Sequence, residues 1–197
     1  ERTMFNLMKR ELREVKKKFG NPRRSELQAQ AQNIEIDTAS LIVEEDTYVS
    51  LTRSGYLKRT SPRSYNASTP EELGKRDDDR AILIAPAKTT QHLLIFTNLG
   101  NVIYRPIHEL TDIRWKDIGE HLSQTLTNFA TEEEVLYAEI IDDFTHETYF
   151  AVTKQGQIKR IDRTEFQPWR SYKTKSAKYA KLKGDGDQVI AMAPIKL

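Results

Sequence analysis

Residues 93–110 read Leu93-Leu-Ile-Phe-Thr-Asn-Leu-Gly-Asn-Val-Ile-Tyr-Arg-Pro-Ile-His-Glu-Leu110. Two apolar runs flank a Thr-x-x-Gly turn, in which glycine readily takes the positive φ that a tight turn requires. The stretch therefore predicts a β-hairpin. Three copies of the pattern occur, each with an aliphatic residue two positions and a large apolar residue ten positions after the glycine: Thr52, Gly55, Leu57 and Tyr65; Thr97, Gly100, Val102 and Leu110; Thr153, Gly156, Ile158 and Phe166.

The three turn glycines are 45 and 56 residues apart, a period typical of propeller blades or solenoid coils. A further apolar strand is predicted upstream of each hairpin, at residues 40–43, 81–85 and 135–141. The runs Ile82–Ile84 and Leu93–Phe96 do not alternate with polar residues, which predicts strands covered on both faces, as in radially stacked sheets.

The sequence thus predicts an all-β, propeller-like fold of four-stranded blades. Val189–Leu197 resembles Ala81–Lys88 and is expected to be the first strand of a fourth repeat. The expected blades are about 34–80, 81–134 and 135–188, with a partial fourth at 189–197.

The N-terminal region has a different, helical pattern. Met8, Leu12, Val15 and Phe19 form an apolar stripe at helical spacing, and Gly20-Asn21-Pro22 predicts the helix end. Residues 23–33 are polar and Gln-rich, as in a linker. We therefore expect residues 1–33 to be the tail of a preceding helical domain in a longer polypeptide, and residues 34–197 to form the β domain.

The net charge of only +2 hides a segregated distribution. Residues 1–27 carry a net +5, residues 132–147 a net −7 and residues 152–186 a net +7. A basic face is therefore possible if folding gathers the positive segments on one side. The absence of Cys from the sequence excludes disulfides, Cys-ligated zinc and a thiol nucleophile. No apolar run reaches the roughly 18–20 residues of a membrane span, so we expect a cytoplasmic protein without membrane integration.

Candidate catalytic residues are few. The histidines lack metal-ligand spacing and are expected to have structural or surface roles: His92, His108, His121 and His146. Asp77-Asp78-Asp79 is the densest carboxylate cluster, which leaves a Mg²⁺ site as an alternative. No convergent acid–base set suggests a hydrolase.

Basic residues recur at equivalent repeat positions, as Lys58-Arg59 and Lys159-Arg160. Strand alternation predicts that Lys58 and Lys159 point outward, whereas Leu57 and Ile158 point inward and the two arginines lean inward. Trp115 and Trp169 are expected to cover blade edges or, alternatively, to stack on bases. The candidate contacts to a nucleic-acid backbone are Lys58, Arg59, Arg63, Lys75, Arg76, Arg80, Arg105, Arg114, Lys116, Lys154, Lys159, Arg160, Arg163, Arg170, Lys173, Lys175 and Lys178.

These residues carry a resemblance to a known family. Glu11–Arg24 is similar to the end of the breakage-reunion domain in the A subunits of bacterial type IIA topoisomerases. Leu51–Arg59 and Phe96–Tyr104 resemble blades of the C-terminal β-pinwheel that wraps DNA in that family. The A subunit of a gyrase would carry a basic box of the form Gln-Arg-Arg-Gly-Gly-Lys-Gly between Tyr65 and Ala81, where this sequence has Asn66–Arg76.

The missing box favours the topoisomerase IV branch, and Thr111–Gly119 and Phe166–Arg170 resemble its streptococcal or related Gram-positive form. The resemblance implies a non-catalytic DNA-wrapping domain, because the family's catalytic tyrosine lies in the preceding domain. It also implies ATP and Mg²⁺ in the holoenzyme, mainly through the B subunit, and no cofactor in this chain. The implied partners are duplex DNA and the B subunit in an A2B2 holoenzyme, at the nucleoid.

Two alternatives remain open. One is a gyrase C-terminal domain with a degenerate box. The other is a propeller-like scaffold for proteins, in which the acidic segment 132–147 and the blade edges dock a partner such as a chromosome-organising protein.

Overall fold

A computed structural model describes residues 2–21, 42–145 and 147–195. The chain divides into two units near residue 36. The first contains helix α1 (Arg2–Phe19), which confirms the predicted helix, and its apolar stripe is exposed. The expected linker lies outside the described residues, and the domain boundary at residues 33 and 34 stays a prediction. None of the described helices is both long and apolar enough to cross a membrane.

The described part of the second unit consists mainly of strands. They are β1 (Asp46–Thr52), β2 (Tyr56–Thr60), β3 (Ala81–Lys88), β4 (His92–Thr97), β5 (Asn101–Pro106), β6 (Glu120–His121), β7 (Val135–Ile141), β8 (Thr148–Thr153), β9 (Ile158–Asp162), β10 (Ala177–Lys178) and β11 (Val189–Ile195). A short helix, α2 (Pro62–Asn66), follows β2, and single 3₁₀ turns occur at Pro70–Glu72, Ile107–Glu109, Leu122–Gln124 and Arg163–Phe166.

The strands form three antiparallel sheets, which confirms the all-β class. Their orders are β3-β1-β2-β6, β10-β5-β4-β7 and β11-β8-β9. The predicted hairpins are β1–β2, β4–β5 and β8–β9. Gly55, Gly100 and Gly156 have φ values of 94°, 74° and 80°, so each turn uses the conformation that glycine favours.

Strand pairing differs from the expected blade boundaries. β3, β7 and β11 each pair with the first strand of the hairpin that precedes them, not with the hairpin that follows. Val189–Ile195 therefore belongs to the third sheet, whereas the sequence predicted the start of a fourth repeat. Ile42 and Val43 are not in a strand, and the remainder of the strand predicted at 40–43 lies outside the described residues.

The two apolar runs that were expected to be covered on both faces, Leu93–Phe96 and Ile82–Ile84, differ in how far they are buried. Leu93–Phe96 are fully buried, as predicted, because β4 lies between β5 and β7 and both sheet faces are covered. Ile84 on the edge strand β3 is 39% exposed, so that part of the expectation is wrong. Two apolar clusters form the core, one mainly between the first and second sheets and the other between the second and third.

The sheets have a distinct inner and outer side. β7 contacts both β3 and β11, and these three strands define the inner side. β6 and β10 lie at the opposite, outer edges. Each is supplied by a segment far downstream, since Leu57 pairs with Glu120 and Val102 with Ala177.

Candidate nucleic-acid interface

A buried carboxylate holds each hairpin turn. Asp79 accepts hydrogen bonds from the amides of Ser54 (3.1 Å) and Arg80 (2.8 Å). Asp187 does the same for the amides of Gln155 (3.1 Å) and Gln188 (3.0 Å). These bonds tie each turn to the start of the next inner strand.

Glu133 occupies the equivalent place at the second turn. Its carboxylate accepts bonds from the Thr97 hydroxyl (2.6 Å), the Asn101 side-chain amide (2.6 Å) and the Ala130 backbone amide (3.1 Å). The sequence did not predict this role for the three acids, although each stands two residues before an inner strand, at Ala81, Val135 and Val189.

The hydrogen bonds of Asp79 are also relevant to the alternative that Asp77–Asp79 bind Mg²⁺. Burial raises the pKa of Asp79, but hydrogen bonds from Thr52, Ser54 and Arg80 outweigh it, and the pKa lies below its usual value. The charged carboxylate is thus engaged with the turn. Within the described ranges, no group of three or more His, Asp or Glu residues is arranged to hold a metal ion.

Lys58 does not point outward, so that prediction is wrong. The residue is 1% exposed, and its Nζ donates to the carbonyl oxygens of Arg114 (3.0 Å), Trp115 (2.6 Å) and Asp117 (2.5 Å). Burial lowers the pKa of its ammonium to about 8, although Asp117 opposes the shift. Lys58 is therefore a structural group.

A distant segment causes this burial. The amide of Arg59 donates to Thr111 (3.2 Å), and that of Ile113 donates to Arg59 (2.9 Å), so the chain at 111–117 runs along β2. Alternation within β2 cannot reveal a segment more than fifty residues away. On β9, Ile158 is 69% exposed and Arg160 is also exposed, contrary to prediction, because none of the described strands pairs with the outer edge of β9.

Two predicted contacts are also internal. Arg105 is 7% exposed, and its guanidinium donates to the carbonyl oxygens of Tyr104, Tyr172 and Lys173 and to the Thr125 hydroxyl.

Arg163 is 6% exposed and binds the Tyr149 hydroxyl and the carboxylates of Glu139 and Glu147. Neither guanidinium is presented at the surface. Arg59 is partly buried.

The remaining candidates are exposed. They are Arg63, Lys75, Arg76, Arg80, Arg114, Lys116, Lys154, Lys159, Arg160, Arg170, Lys173, Lys175 and Lys178. Three of them have ion-pair partners: Arg76 with Asp78 (3.8 Å), Lys116 with Glu72 (2.8 Å) and Lys173 with Glu109 (2.9 Å).

Exposed basic residues are frequent around β10 on the outer side and rare on the inner strands. The inner strands β3, β7 and β11 together contain one basic residue, Lys88, which pairs with Glu44 (2.5 Å). The segment around β10 carries six exposed basic residues within residues 166–184 and no Asp or Glu: Arg170, Lys173, Lys175, Lys178, Lys181 and Lys183. Lys181 and Lys183 were not among the candidate contacts, although they belong to the same acid-free run.

The two tryptophans cover edges of the sheets. Trp115 is fully buried, and its indole N–H donates to the carbonyl of Thr69 (2.9 Å). Trp169 is partly buried against the second core cluster and donates to Lys175 (3.0 Å). The buried Trp115 ring is not free to stack on a base, whereas the Trp169 ring is only partly covered.

The acidic segment 132–147 is largely used within the fold. Glu133 holds a turn, Glu134 pairs with Arg53 (2.5 Å), and Glu139 and Glu147 bind Arg163. It therefore does not present a uniform acidic surface, and this observation does not favour the scaffold alternative.

The predicted structural roles of two histidines fit their contacts. A ring nitrogen of His92 lies 2.9 Å from the Tyr104 hydroxyl, and His121 bridges the Ser54 carbonyl and the Ser123 hydroxyl. Burial and nearby His108 lower the pKa of His92. His146 lies outside the described residues.

Comparison with known proteins identifies the family. The sequence model of the family described as DNA gyrase C-terminal domain, beta-propeller, matches residues 91–142 and 147–196. The chain belongs to this family. The resemblance inferred from the hairpin repeats is thus confirmed, as is the propeller-like architecture.

One relative is the A subunit of DNA topoisomerase 4 from Streptococcus pneumoniae. It is 72% identical to this chain, and the match covers 100% of this chain and 24% of the relative. The corresponding A subunit from Bacillus subtilis is 36% identical over 96% of this chain and 23% of the relative. The chain spans about a quarter of the length of these relatives. The topoisomerase IV branch is therefore favoured over gyrase.

A solved structure shows the same fold. The crystal structure of the C-terminal domain of DNA topoisomerase IV matches with a TM-score of 0.71 at 37% identity, covering 78% of this chain and 46% of that chain.

Proposed function

We propose that the chain binds duplex DNA along its outer side and serves as the DNA-wrapping C-terminal domain in the A subunit of a topoisomerase IV. In that role it positions a duplex for ATP-dependent strand passage, decatenation and relaxation during chromosome segregation. The names of the relatives and the family membership support the assignment.

The observation that carries the proposal is the separation of charge between the inner and outer sides. Six exposed basic residues without an intervening acid follow the outer segment 166–184, whereas the inner strands carry one paired lysine. Lysine and arginine side chains bind phosphates regardless of base sequence and release condensed counterions. A protein that holds a duplex without reading it needs such a surface.

The rest of the proposed assembly extends beyond this chain. We propose that the B subunit supplies ATP and Mg²⁺ in an A2B2 holoenzyme, that strand cleavage occurs in another domain and that the protein works at the nucleoid. Partnership with a chromosome-organising protein remains a prediction of the scaffold alternative.

Titration of a labelled duplex at increasing salt tests DNA binding. Each phosphate contact contributes about −0.9 to the slope of log K against log salt, so six contacts would give a slope of about −5. Duplexes of unrelated sequence should bind equally well. A flat salt dependence, or no binding at about 50 mM salt, would overturn the proposal.

Retention of a protein partner after nuclease treatment, combined with absence of duplex affinity, would instead support the scaffold.

A further inference from the structure

We infer that duplex contact is not spread evenly along the outer side but is concentrated in a cleft between β9 and residues 178–181, where Lys159, Lys178 and Lys181 bind neighbouring backbone phosphates. This inference rests on the proposed function and names the place where it is exerted. It makes the second and third sheets the principal DNA-holding part of the described chain.

The cleft, which we call the Lys159 cleft, has a volume of about 360 Å³. The three lysines share it with Gln157, Thr153 and apolar groups that include Ile158 and Ala180, and no carboxylate lines it. An anion entering there would meet a lining with three lysines and no like charge to repel it.

Hydrogen bonds hold two of these ammonium groups in place. Lys159 Nζ donates to the carbonyl of Tyr179 (2.6 Å), and Lys178 Nζ donates to the carbonyl of Leu99 (3.0 Å). An ammonium has three N–H donors, so each of these bonds uses only one. Prior placement reduces the side-chain entropy lost when a phosphate binds.

The surroundings of the cleft strengthen its field. Residues 166–184 contain no Asp or Glu, and Arg170, Lys175 and Lys183 add further positive charge along the same segment, whereas Lys173 is paired with Glu109. Exposed charges interact over about 10 Å at 0.1 M salt, so contributions from the segment add where they are near the cleft. A contiguous region of one sign raises the local concentration of an oppositely charged ligand.

The first sheet lacks an equivalent surface. Lys58 occupies the repeat position of Lys159 but is buried under residues 111–117. In the outer segment 111–125, Arg114 and Lys116 are accompanied by Asp112, Asp117 and Glu120, giving a net charge of −1. Lys116 is also paired with Glu72. The same repeat position therefore gives a structural lysine in one sheet and an available lysine in another.

Two triple variants with matched charge loss test the inference. The cleft variant is Lys159→Gln, Lys178→Gln and Lys181→Gln, and the control is Arg63→Gln, Arg114→Gln and Lys116→Gln. In the cleft variant, the slope of log K against log salt should become less negative by about 2.7, since each lost phosphate contact removes about 0.9 from its magnitude. In the control variant, the magnitude of this slope should decrease by less than about 1.

Equal losses in the two variants would overturn the inference while leaving the proposed function intact. A flat salt dependence of the unsubstituted chain would instead overturn the proposed function. Urea unfolding of both variants checks that they fold.

A second measurement uses the unsubstituted chain and does not depend on variant folding. Lysine acetylation, read by mass spectrometry with and without duplex, should show protection of Lys159, Lys178 and Lys181 and little protection of Lys75 and Lys116. Protection that is equal at the two sets of lysines would overturn the inference.

Discussion

The ammonium nitrogen of Lys58 lies 2.6 Å from the carbonyl oxygen of Trp115 and 5.5 Å from the centroid of its indole ring. The lysine thus binds the backbone of a residue 57 positions away, while the ring, fully buried, closes over it. Its two other carbonyl partners, from Arg114 and Asp117, complete the coordination of the ammonium. The contact fixes the outer segment of the first sheet against β2.

We predict that Lys58→Met lowers the free energy of unfolding at pH 7 by about 1–3 kcal/mol, because buried carbonyls lose their donor. The variant should also lose the part of the pH dependence of the unfolding free energy that comes from Lys58. The folded-state pKa of Lys58 is about 8, below its ordinary 10.5, so the unfolded chain binds more protons between these pH values. Wild-type stability from this group therefore rises with pH across that window. Urea unfolding of the wild type and the variant from pH 7 to 10 measures this pH dependence. If the unfolding free energies of the two proteins change in parallel with pH, Lys58 does not have the lowered pKa.

Lys159→Met is the matched control, because both lysines stand three residues after a turn glycine. We expect it to reduce the salt slope of duplex binding by about 0.9, whereas Lys58→Met leaves the slope unchanged. A reduced slope in folded Lys58→Met would show that the buried lysine reaches DNA after all.

Arg163→Met should lower the free energy of unfolding by about 1–3 kcal/mol, mainly because the partly buried Glu139 would lose its partner. Glu147, whose side chain is 49% exposed, should contribute little to this loss. The exposed Arg160→Met should change the free energy of unfolding by less than about 0.5 kcal/mol. Urea unfolding of the two variants at pH 7 provides the comparison. Equal stability of both would mean that the Arg163 cluster contributes little.

Glu133→Ala should destabilise the chain by about 1–3 kcal/mol, because its buried hydrogen-bond donors would lose their acceptor. The exposed neighbour in Glu132→Ala should cost less than about 0.5 kcal/mol. Thermal or urea unfolding distinguishes the two. A neutral Glu133→Ala would refute a role for this carboxylate in holding the second turn.

Gly100→Ala should be more damaging than Gly156→Ala. Both turns have positive φ, which costs about 1–2 kcal/mol for a residue with a Cβ. At Gly100 the added Cβ would also lie 2.5 Å from the Ala180 carbonyl oxygen, whereas at Gly156 it would meet nothing within 4 Å. Unfolding free energies of the two variants test this difference, and equal losses would show that close approach is not limiting.

Several features followed from the sequence because they depend on neighbouring residues. The three Thr-x-x-Gly turns, the hairpins around them and the helix that ends before Gly20 are set by local backbone preferences and apolar spacing. The segregation of charge is likewise a property of the chain itself. It pointed to a basic face without showing which lysines would be available.

Only the tertiary structure decided which side chains those are. Lys58 and Lys159 occupy the same repeat position, yet residues 111–117 cover the first, whereas the second lines an open cleft. Pairing of β3 with β1 and burial of Arg163 beside Glu139 and Glu147 likewise join segments that are separated in sequence. Burial and ion pairing depend on what folds against a residue, and alternation within its own strand carries no record of that.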